Sequence, residues 1–371
     1  MSANINSRGP GGLPGTAGLF LAAVLLPLIL GSCNQTEPLS LGAILPMTGE
    51  GSIPDVERGM RLALEELNES GGINGREISL HLRDSAGNPG SGAEQLRGLE
   101  EDRAPLLVFS ALSSVTQAVS SEAERSQIPL IGLVATDPSI PEGKEWTYVF
   151  YPSARHEVEP IFSILRRQEL RSVAVWHFGD AYGASVAREM RGRAEGTVIE
   201  VEGREYQGEG SRRTAELLSG HDAVYMVGFA SHIVDMRAAL AETGFDGAIL
   251  STSTATIPSL RRERDLDGLF VAAPLMYNDS FVFAREVSNR YRERYDLELS
   301  HYAATGYDIV KIVAGLLDGE PLQRGRVTEI LEEGFIYPGV FGEIILRSGS
   351  NNIYFPLYPA QIDGETLRYI Q

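Results

Sequence analysis

The sequence predicts an α/β protein of two Rossmann-like lobes, each with a mostly parallel sheet. Short apolar runs alternate with amphipathic segments of helical period, which is the pattern of parallel strands connected by helices. The alternation restarts near residue 152. A length of 371 residues also exceeds what one hydrophobic core usually holds. Together these observations favour two lobes over a single module.

The first series of elements begins after a short polar linker. LSLGAILP, at residues 39–46, is a strand candidate, and the helix expected at 55–70 has apolar residues at helical spacing. A glycine-rich turn at 71–75 ends this helix. The remaining elements of the series alternate as follows: strand 78–84, helix 93–101, strand 105–111, helix 114–125 and strand 128–135.

The second series has the same order of elements. It is predicted to contain helix 157–167, strand 172–178, helix 182–193, strand 223–229, helix 232–243 and strands 248–253 and 269–275. Three helical patterns follow with hardly a strand between them, at 281–295, 302–317 and 326–333. The tail is strand-like again.

Composition excludes several function classes. The 32 basic and 50 acidic residues give a net charge of -18, which is the wrong sign for binding nucleic acid. With Cys33 as the only cysteine, the chain has no intramolecular disulfide and no cysteine-rich zinc site. The sequence contains no GxSxG nucleophile motif and no HExxH metal motif. We therefore predict a protein that is not an enzyme and needs no metal or cofactor.

The N-terminus has the features of a secretory leader. LFLAAVLLPLIL, at residues 19–30, is long enough for a signal peptide but too short to span a bilayer. The following Gly31, Ser32 and Cys33 resemble a bacterial lipobox, so we predict a signal peptide at 1–32 and a lipidated tether at 33–38. Lipidated Cys33 would hold the protein on the periplasmic or cell-surface side of a bacterial membrane. The alternative is a buried free thiol beside an accidental apolar run.

Small hydroxyls and aromatic residues recur at the predicted strand ends. In open parallel sheets, ligands bind beyond the carboxyl ends of the strands, where helix N-termini offer free N–H groups. Ser113 and Ser114 stand where a helix begins, and plain N-capping is the alternative explanation for them. The gathering of such residues in both lobes favours a binding site, at Ser110, Ser113, Ser114, Thr136, Asp180, Tyr182, Phe229 and 251–254.

From residue 39 to 371 the chain resembles the substrate-binding proteins of ABC transporters of the branched-chain amino-acid (Leu/Ile/Val) type, in lipoprotein form. The segments that carry the resemblance keep their order and spacing: 42–49, 59–68, 71–76, 112–114, 135–138, 180–183 and 306–308. The resemblance implies a type I periplasmic-binding-protein fold, in which the chain crosses a three-stranded hinge. It assigns 39–151 with 275–338 to lobe 1, and 152–274 with 339–371 to lobe 2.

The resemblance also implies which residues bind a ligand. Ser113 and Thr136 match the residues that hold the ligand carboxylate, with backbone help from Val134. Tyr182 matches the aromatic that closes from the second lobe. Phe229 stands at a tyrosine position of the family and keeps a stacking face without the hydroxyl.

The opposite half of the family site departs from its pattern. Ser253 stands where amino-acid binders have the acid that holds the ligand ammonium, and Ser52 stands where an aromatic often lies. Three acids are candidate substitutes: Asp180, Asp279 and Asp308. Each is more often a helix cap or a solvated loop residue.

The resemblance implies a monomeric solute receptor that captures an amino acid, an amide or a related carboxylate between its lobes. Its partners would be the transmembrane subunits of an ABC permease, the lipid membrane and the solute. The alternative is a lipid-anchored sensor or regulatory lipoprotein that acts through protein partners, because one fold can serve both purposes. A regulator predicts a filled cleft, whereas transport predicts a cleft that closes on a solute.

Overall fold

The structure, a computed structural model, describes residues 37–49, 51–203, 209–262, 266–278 and 280–370. The predicted signal peptide and Cys33 lie outside these residues. Within them the chain forms two sheets of mostly parallel strands covered by helices, so the predicted α/β class is confirmed.

The first sheet begins with the N-terminal series. Its elements alternate in the order β1 (Leu39–Leu45), α1 (Pro54–Glu69), β2 (Ile78–Asp84), α2 (Pro89–Arg103), β3 (Val108–Ala111), α3 (Ser113–Ser126), β4 (Leu130–Leu133) and β5 (Thr147–Phe150). These five strands pair in parallel, in the spatial order β2-β1-β3-β4-β5. Every residue of β3 and β4 is buried, because helices cover both faces of the sheet.

The second sheet repeats this organisation. Its elements are α4 (Ala154–Arg167), β6 (Ser172–Phe178), α5 (Ala181–Arg193), β7 (Thr197–Gly203), α6 (Glu209–Leu218), β8 (Ala223–Val227), α7 (Ala230–Glu242), β9 (Ala248–Ser251), α8 (Pro258–Arg261) and β10 (Phe270–Pro274). The strands pair in parallel in the order β7-β6-β8-β9-β10.

The C-terminal part contributes to both sheets. It contains α9 (Val282–Tyr295), α10 (His301–Leu317), α11 (Arg324–Glu333), β11 (Phe335–Gly339), β12 (Gly342–Leu346), β13 (Asn352–Tyr354), β14 (Leu357–Asp363) and β15 (Thr366–Tyr369). Strands β11, β12 and β13 extend the first sheet beyond β5, whereas β14 and β15 extend the second sheet beyond β10. We call the elements on the first sheet the first lobe and those on the second sheet the second lobe.

Sheet membership corrects one predicted boundary. The assignment of 339–371 to the second lobe is wrong for 339–354, because β12 and β13 belong to the first sheet. The reason is local: β11 and β12 form an antiparallel hairpin across Gly339 and Gly342, and Ile353 then pairs with Phe150 of β5. The last crossing therefore lies between β13 and β14. The other two crossings lie between β5 and α4 and after β10.

Helices α1 and α10 of the first lobe contact each other through their backbones. A Cβ on Gly59 would lie 1.8 Å from the carbonyl oxygen of Ala303, and a Cβ on Gly306 would lie 2.1 Å from that of Val56. Only glycine permits this approach. The contact fixes the first turn of α10, which carries Tyr302 to the space between the lobes.

No helix in the part of the chain that the structure describes is both long enough and apolar enough to cross a bilayer.

Candidate ligand-binding site

A cavity lies where the carboxyl ends of strands from both sheets face each other. One side, which we call the first wall, belongs to the first lobe and consists of Ile53, Leu112, Ser113, Val134, Thr136 and Tyr302. The other side, the second wall, consists of Asp180, Tyr182, Phe229, Ser253 and Thr254. Tyr151, at the first crossing between the lobes, completes the lining. All six residues that the resemblance implied as ligand-binding therefore border one space.

The first wall has two residues in a backbone conformation that favours glycine. Leu112 follows β3 with φ of 71°, and Val134 follows β4 with φ of 51°. Non-glycine residues at positive φ are uncommon and cost free energy, so their clustering beside one cavity marks a functional site. These turns place Ser113 and Thr136 next to each other, with the Thr136 N–H donating to the Ser113 hydroxyl at 3.1 Å.

The first wall offers unused hydrogen-bonding capacity. Thr136 is 2% exposed, and its buried hydroxyl has no hydrogen-bond partner. Ser113 accepts from Thr136, which leaves its own hydroxyl proton to donate. Ser113 also opens α3, whose first N–H groups have no partner inside the helix. Together these groups form a concentrated set of donors for an anionic oxygen.

The second wall is organised by helix starts. Asp180 is the N-cap of α5, where its carboxylate accepts from the Gly183 N–H at 2.8 Å. The Tyr182 hydroxyl donates to the Thr252 hydroxyl at 2.7 Å. Phe229 is the N-cap residue of α7, and its ring lies beside Tyr182, with 6.5 Å between the ring centroids.

The two walls are in contact with each other. A Cβ on Gly51, from the first lobe, would lie only 2.9 Å from the Phe229 ring. Tyr302 and Thr254 form a hydrogen bond between the walls, with 3.3 Å between their hydroxyl oxygens. The remaining cavity has a volume of about 20 Å³, close to the minimum for one water molecule. The structure is thus a closed form, and a solute the size of an amino acid needs the lobes to separate.

An acidic side chain, Glu157, lies directly behind the second wall. Glu157, in the first turn of α4, is fully buried and accepts two hydrogen bonds from Ser253. The Ser253 hydroxyl donates at 2.5 Å and its N–H at 3.2 Å. Burial raises the pKa of Glu157 to about 7, against the lowering effect of those two bonds. A signal for this residue was present, since Glu157 lies on the same helix face as the buried Ala154 and Ile161.

The three acids predicted as candidate substitutes at the ammonium position do not all line the cavity. Asp180 lines the cavity, and Asp279 lies outside the described residues. Asp308 is wrong for this role: it is buried in α10 and accepts from the Val340 N–H at 2.8 Å, so it holds the β11–β12 turn instead. Ser52 does not line the cavity, because its hydroxyl turns back to the Met47 carbonyl.

A metal site would need several His, Cys, Asp or Glu side chains gathered at one place within the described ranges. No three His, Cys, Asp or Glu side chains converge there. His156, which sits beside two acids in the sequence, instead stacks on Tyr354 with 4.5 Å between ring centroids.

Comparison with known proteins places the chain in a family. A profile described as "Periplasmic binding protein" matches residues 38–366, which is nearly the whole described chain. The chain belongs to the periplasmic binding protein family. Membership agrees with the position of the cavity, which lies between the two lobes.

Solved periplasmic binding proteins share this fold at low sequence identity. The isoleucine complex of the branched-chain amino-acid transporter substrate-binding protein LivJ of Streptococcus pneumoniae superposes with a TM-score of 0.80, at 17% identity over 90% of this chain and 99% of that one. A solute-binding protein of Rhodopseudomonas palustris in complex with 3,4-dihydroxybenzoic acid gives 0.80, at 16% identity over 90% and 97%. These likenesses confirm the predicted type I periplasmic-binding-protein fold.

Sequence relatives match over shorter stretches. A Leu/Ile/Val-binding protein homologue of Brucella melitensis is 25% identical over 49% of this chain and 51% of its own length. The chemotactic signal transduction substrate-binding protein BasB of Halobacterium salinarum is 33% identical over 28% of this chain and 26% of its own. The chain thus spans about half the length of the first of these relatives and about a quarter of the second.

Proposed function

We propose that this periplasmic binding protein captures a small carboxylate-bearing solute between its lobes and delivers it to an ABC permease. The observation that carries the proposal is the first wall, where the buried Thr136 hydroxyl has no partner and the Thr136 N–H donates to the Ser113 hydroxyl. A buried polar group without a partner is costly, so such a group in a cavity is typical of a site completed by a ligand. Val134 would assist from its backbone.

Closure of the second wall would then cover the bound solute. Tyr182 and Phe229 lie on that wall and present ring faces beside the donors of the first wall. Lobe closure around a solute is the hinge motion typical of two-lobed binding proteins. The two solved proteins above support the carboxylate part of the proposal, because isoleucine and 3,4-dihydroxybenzoic acid both contain a carboxyl group.

The lipid anchor belongs to the same proposal. Cys33 would carry the lipid after removal of residues 1–32, and residues 33–38 would tether the folded lobes outside the cytoplasmic membrane. The protein would act as a monomer with the permease subunits and its solute as partners. Mass spectrometry of the mature protein tests the lipid anchor, because the proposal predicts that the N-terminal residue is a lipidated Cys33.

A screen for thermal stabilisation tests the solute-binding function. Amino acids, amides, short carboxylates and ureas are added singly, and a solute present at 100 times its Kd adds about 2.7 kcal/mol to the free energy of unfolding. Mass spectrometry of ligand that co-purifies with the protein identifies the natural solute. If no solute in the screen stabilises the protein and none co-purifies, the proposal fails.

The narrowness of the cavity favours a second candidate, a lipid-anchored sensor or regulator. A cavity of about 20 Å³ is far below the several hundred Å³ usual for a ligand pocket. A regulator that works through protein partners would keep this closed form with or without solutes. Small-angle scattering distinguishes the two, because a solute receptor becomes more compact when its ligand is added and such a regulator does not.

A further inference from the structure

The hydroxyl groups of the second wall all have hydrogen-bond partners in the closed form. The Tyr182 hydroxyl donates to Thr252 at 2.7 Å, and Thr254 pairs with Tyr302 at 3.3 Å. Ser253 donates to Glu157, so it accepts from the Tyr151 hydroxyl at 3.0 Å. In each case the hydroxyl already has a partner when the cleft is closed, in contrast to the Thr136 hydroxyl opposite.

Glu157, the acid behind Ser253, is withheld from the cavity. Both carboxylate oxygens of Glu157 accept from Ser253, and Glu157 itself is fully buried and absent from the lining. Asp180 does line the cavity, but one of its oxygens is used as the N-cap of α5. Among the described residues, no cation acts on the pKa of Glu157. Ser253 therefore stands as a neutral cover between this acid and the cavity.

This arrangement limits which chemical groups a bound carboxylic acid can have at the end away from its carboxylate. An ammonium group enclosed in a closed cleft needs a charged or strongly polar partner, and without one its burial costs several kcal/mol. Apart from Asp180 and the serine and threonine side chains, the lining of both walls is apolar or aromatic, namely Ile53, Leu112, Val134, Tyr182, Phe229 and Tyr302. Apolar carbon is stabilised by these surfaces, through area removed from water.

Resting on the solute-binding function above, we propose that the ligand is a small monocarboxylic acid without an amino group. Its carboxylate binds Ser113 and Thr136, and its hydrocarbon part packs against the rings of the second wall. Glu157 is a positioning residue for specificity: it holds the Ser253 hydroxyl turned away from the ligand. The proposal selects against α-amino acids.

Isothermal titration calorimetry with matched pairs of acids tests this proposal on the unmodified protein. The pairs are 4-methylpentanoate with leucine and 3-phenylpropionate with phenylalanine, which differ only in the α-amino group. We expect the member without the amino group to bind at least tenfold more tightly in each pair that binds. Tighter binding of the amino acids, for example through cation–π contacts with the rings, overturns the proposal but leaves solute binding intact. If none of the four compounds binds, the proposal is overturned. Solute binding itself is rejected only if no solute in the stabilisation screen binds and no ligand co-purifies.

A charge-relocation variant adds a second test. Ser253→Asp combined with Glu157→Gln moves the carboxylate from behind the second wall to its surface. We expect this variant to shift the preference toward leucine by at least tenfold relative to 4-methylpentanoate. The matched control is Ser253→Asn with Glu157→Gln, which has the same shape without the charge and is expected to leave the preference unchanged. An equal shift in both variants contradicts the assignment of charge as the cause; if either fails to fold, the wild-type pairs still decide.

Discussion

The two walls of the cavity use similar residues in opposite ways. Both contain serine and threonine hydroxyls that are almost fully buried. On the first wall, the Thr136 hydroxyl has no partner and Ser113 keeps a proton to donate. On the second wall, Ser253 and Thr254 are paired with Glu157, Tyr151 and Tyr302.

This difference teaches that residue type does not reveal which hydroxyls bind a ligand. The first-wall hydroxyls follow strained turns at Leu112 and Val134, which hold them beside the start of α3. On the second wall, the Ser253 hydroxyl donates to the buried Glu157, and the Thr254 hydroxyl pairs with Tyr302. We infer that the first wall recognises the charged end of the solute and the second wall covers its uncharged end.

The largest expected effect concerns the buried acid of the second wall. The pKa of Glu157 is raised by burial to about 7 from an ordinary value of 4.5, so the folded state holds this proton more tightly than the unfolded state. The resulting stabilisation is present below pH 4.5 and is lost as the pH rises to about 7, a change on the order of 3 kcal/mol. Denaturant unfolding of wild type and Glu157→Gln from pH 4 to 8 measures it.

We expect the difference in unfolding free energy between the two proteins to move in favour of Glu157→Gln as the pH rises. The nearby tyrosines do not interfere, because burial is the main cause that raises their pKa above the usual value, and the Glu157 carboxylate adds to the rise. These tyrosines are Tyr151, Tyr182, Tyr225 and Tyr302. Parallel pH profiles for the two proteins would show that the pKa of Glu157 is not raised in the folded state. The acid would then not be buried against Ser253 as described.

The next largest effect is expected on ligand affinity when the hydroxyls of the first wall are removed. Ser113→Ala with Thr136→Ala removes both hydroxyls that face the carboxylate, so we expect affinity for the best-binding acid to fall at least tenfold, or about 1.4 kcal/mol. Calorimetry measures the change. The matched control is Ser110→Ala with Thr116→Ala, which removes two neighbouring buried hydroxyls that bond to each other at 2.9 Å outside the cavity. Equal affinity losses in the two double variants would reject the first wall as the recognition surface.

A smaller effect tests whether the walls close on each other. Gly51 and Gly75 both have φ of 74°, but a Cβ at Gly51 would meet the Phe229 ring, whereas one at Gly75 would meet nothing within 4 Å. Alanine at each site introduces the same backbone strain. We expect only Gly51→Ala to weaken ligand binding, by about fivefold, or about 1 kcal/mol. Matching Kd values for the two variants would mean that the Gly51–Phe229 contact is not part of the bound state.

The smallest expected effect concerns the hydrogen bond between the walls. Tyr302→Phe removes the hydroxyl that pairs with Thr254 at 3.3 Å and keeps the ring. We expect affinity to fall about twofold to threefold, as for one net hydrogen bond of about 0.5 kcal/mol. A loss above tenfold, measured by calorimetry, would show that Tyr302 contacts the solute through its hydroxyl.

Most of the fold could be predicted because strand and helix periods are strong in the buried elements. Strands β2 and β6 begin and end at the predicted residues. Strand β7 was missed because its residues are largely exposed or half-buried and give no apolar run. Strand β5, at residues 147–150, was also missed, although it is no shorter than the predicted β3 and β4.

The boundary at 338 could not be placed correctly from sequence because strand character alone does not say which sheet a strand joins. Residues 335–346 form a hairpin of β11 and β12. The next strand, β13, pairs with β5, which lies about 200 residues earlier in the sequence. Such long-range pairing leaves no local signal. The three crossings themselves came from the family resemblance.

The site was predicted in part for a similar reason. Ser113 and Thr136 could be placed at strand ends, where parallel sheets position ligand-binding residues. Glu157 could not, since an acid in the first turn of a helix is usually explained by the helix dipole. Its pairing with Ser253 spans 96 residues and depends on how α4 packs against β10 and on the turn that follows β9.

A crystal structure grown in the presence of 4-methylpentanoate tests the central claim most directly. The account predicts the acid enclosed between the lobes, with its carboxylate oxygens about 3 Å from the Ser113 and Thr136 hydroxyl oxygens and its methyl groups against Phe229. A carboxylate bound instead to the Ser253 side, or an acid bound away from this cleft, would contradict it.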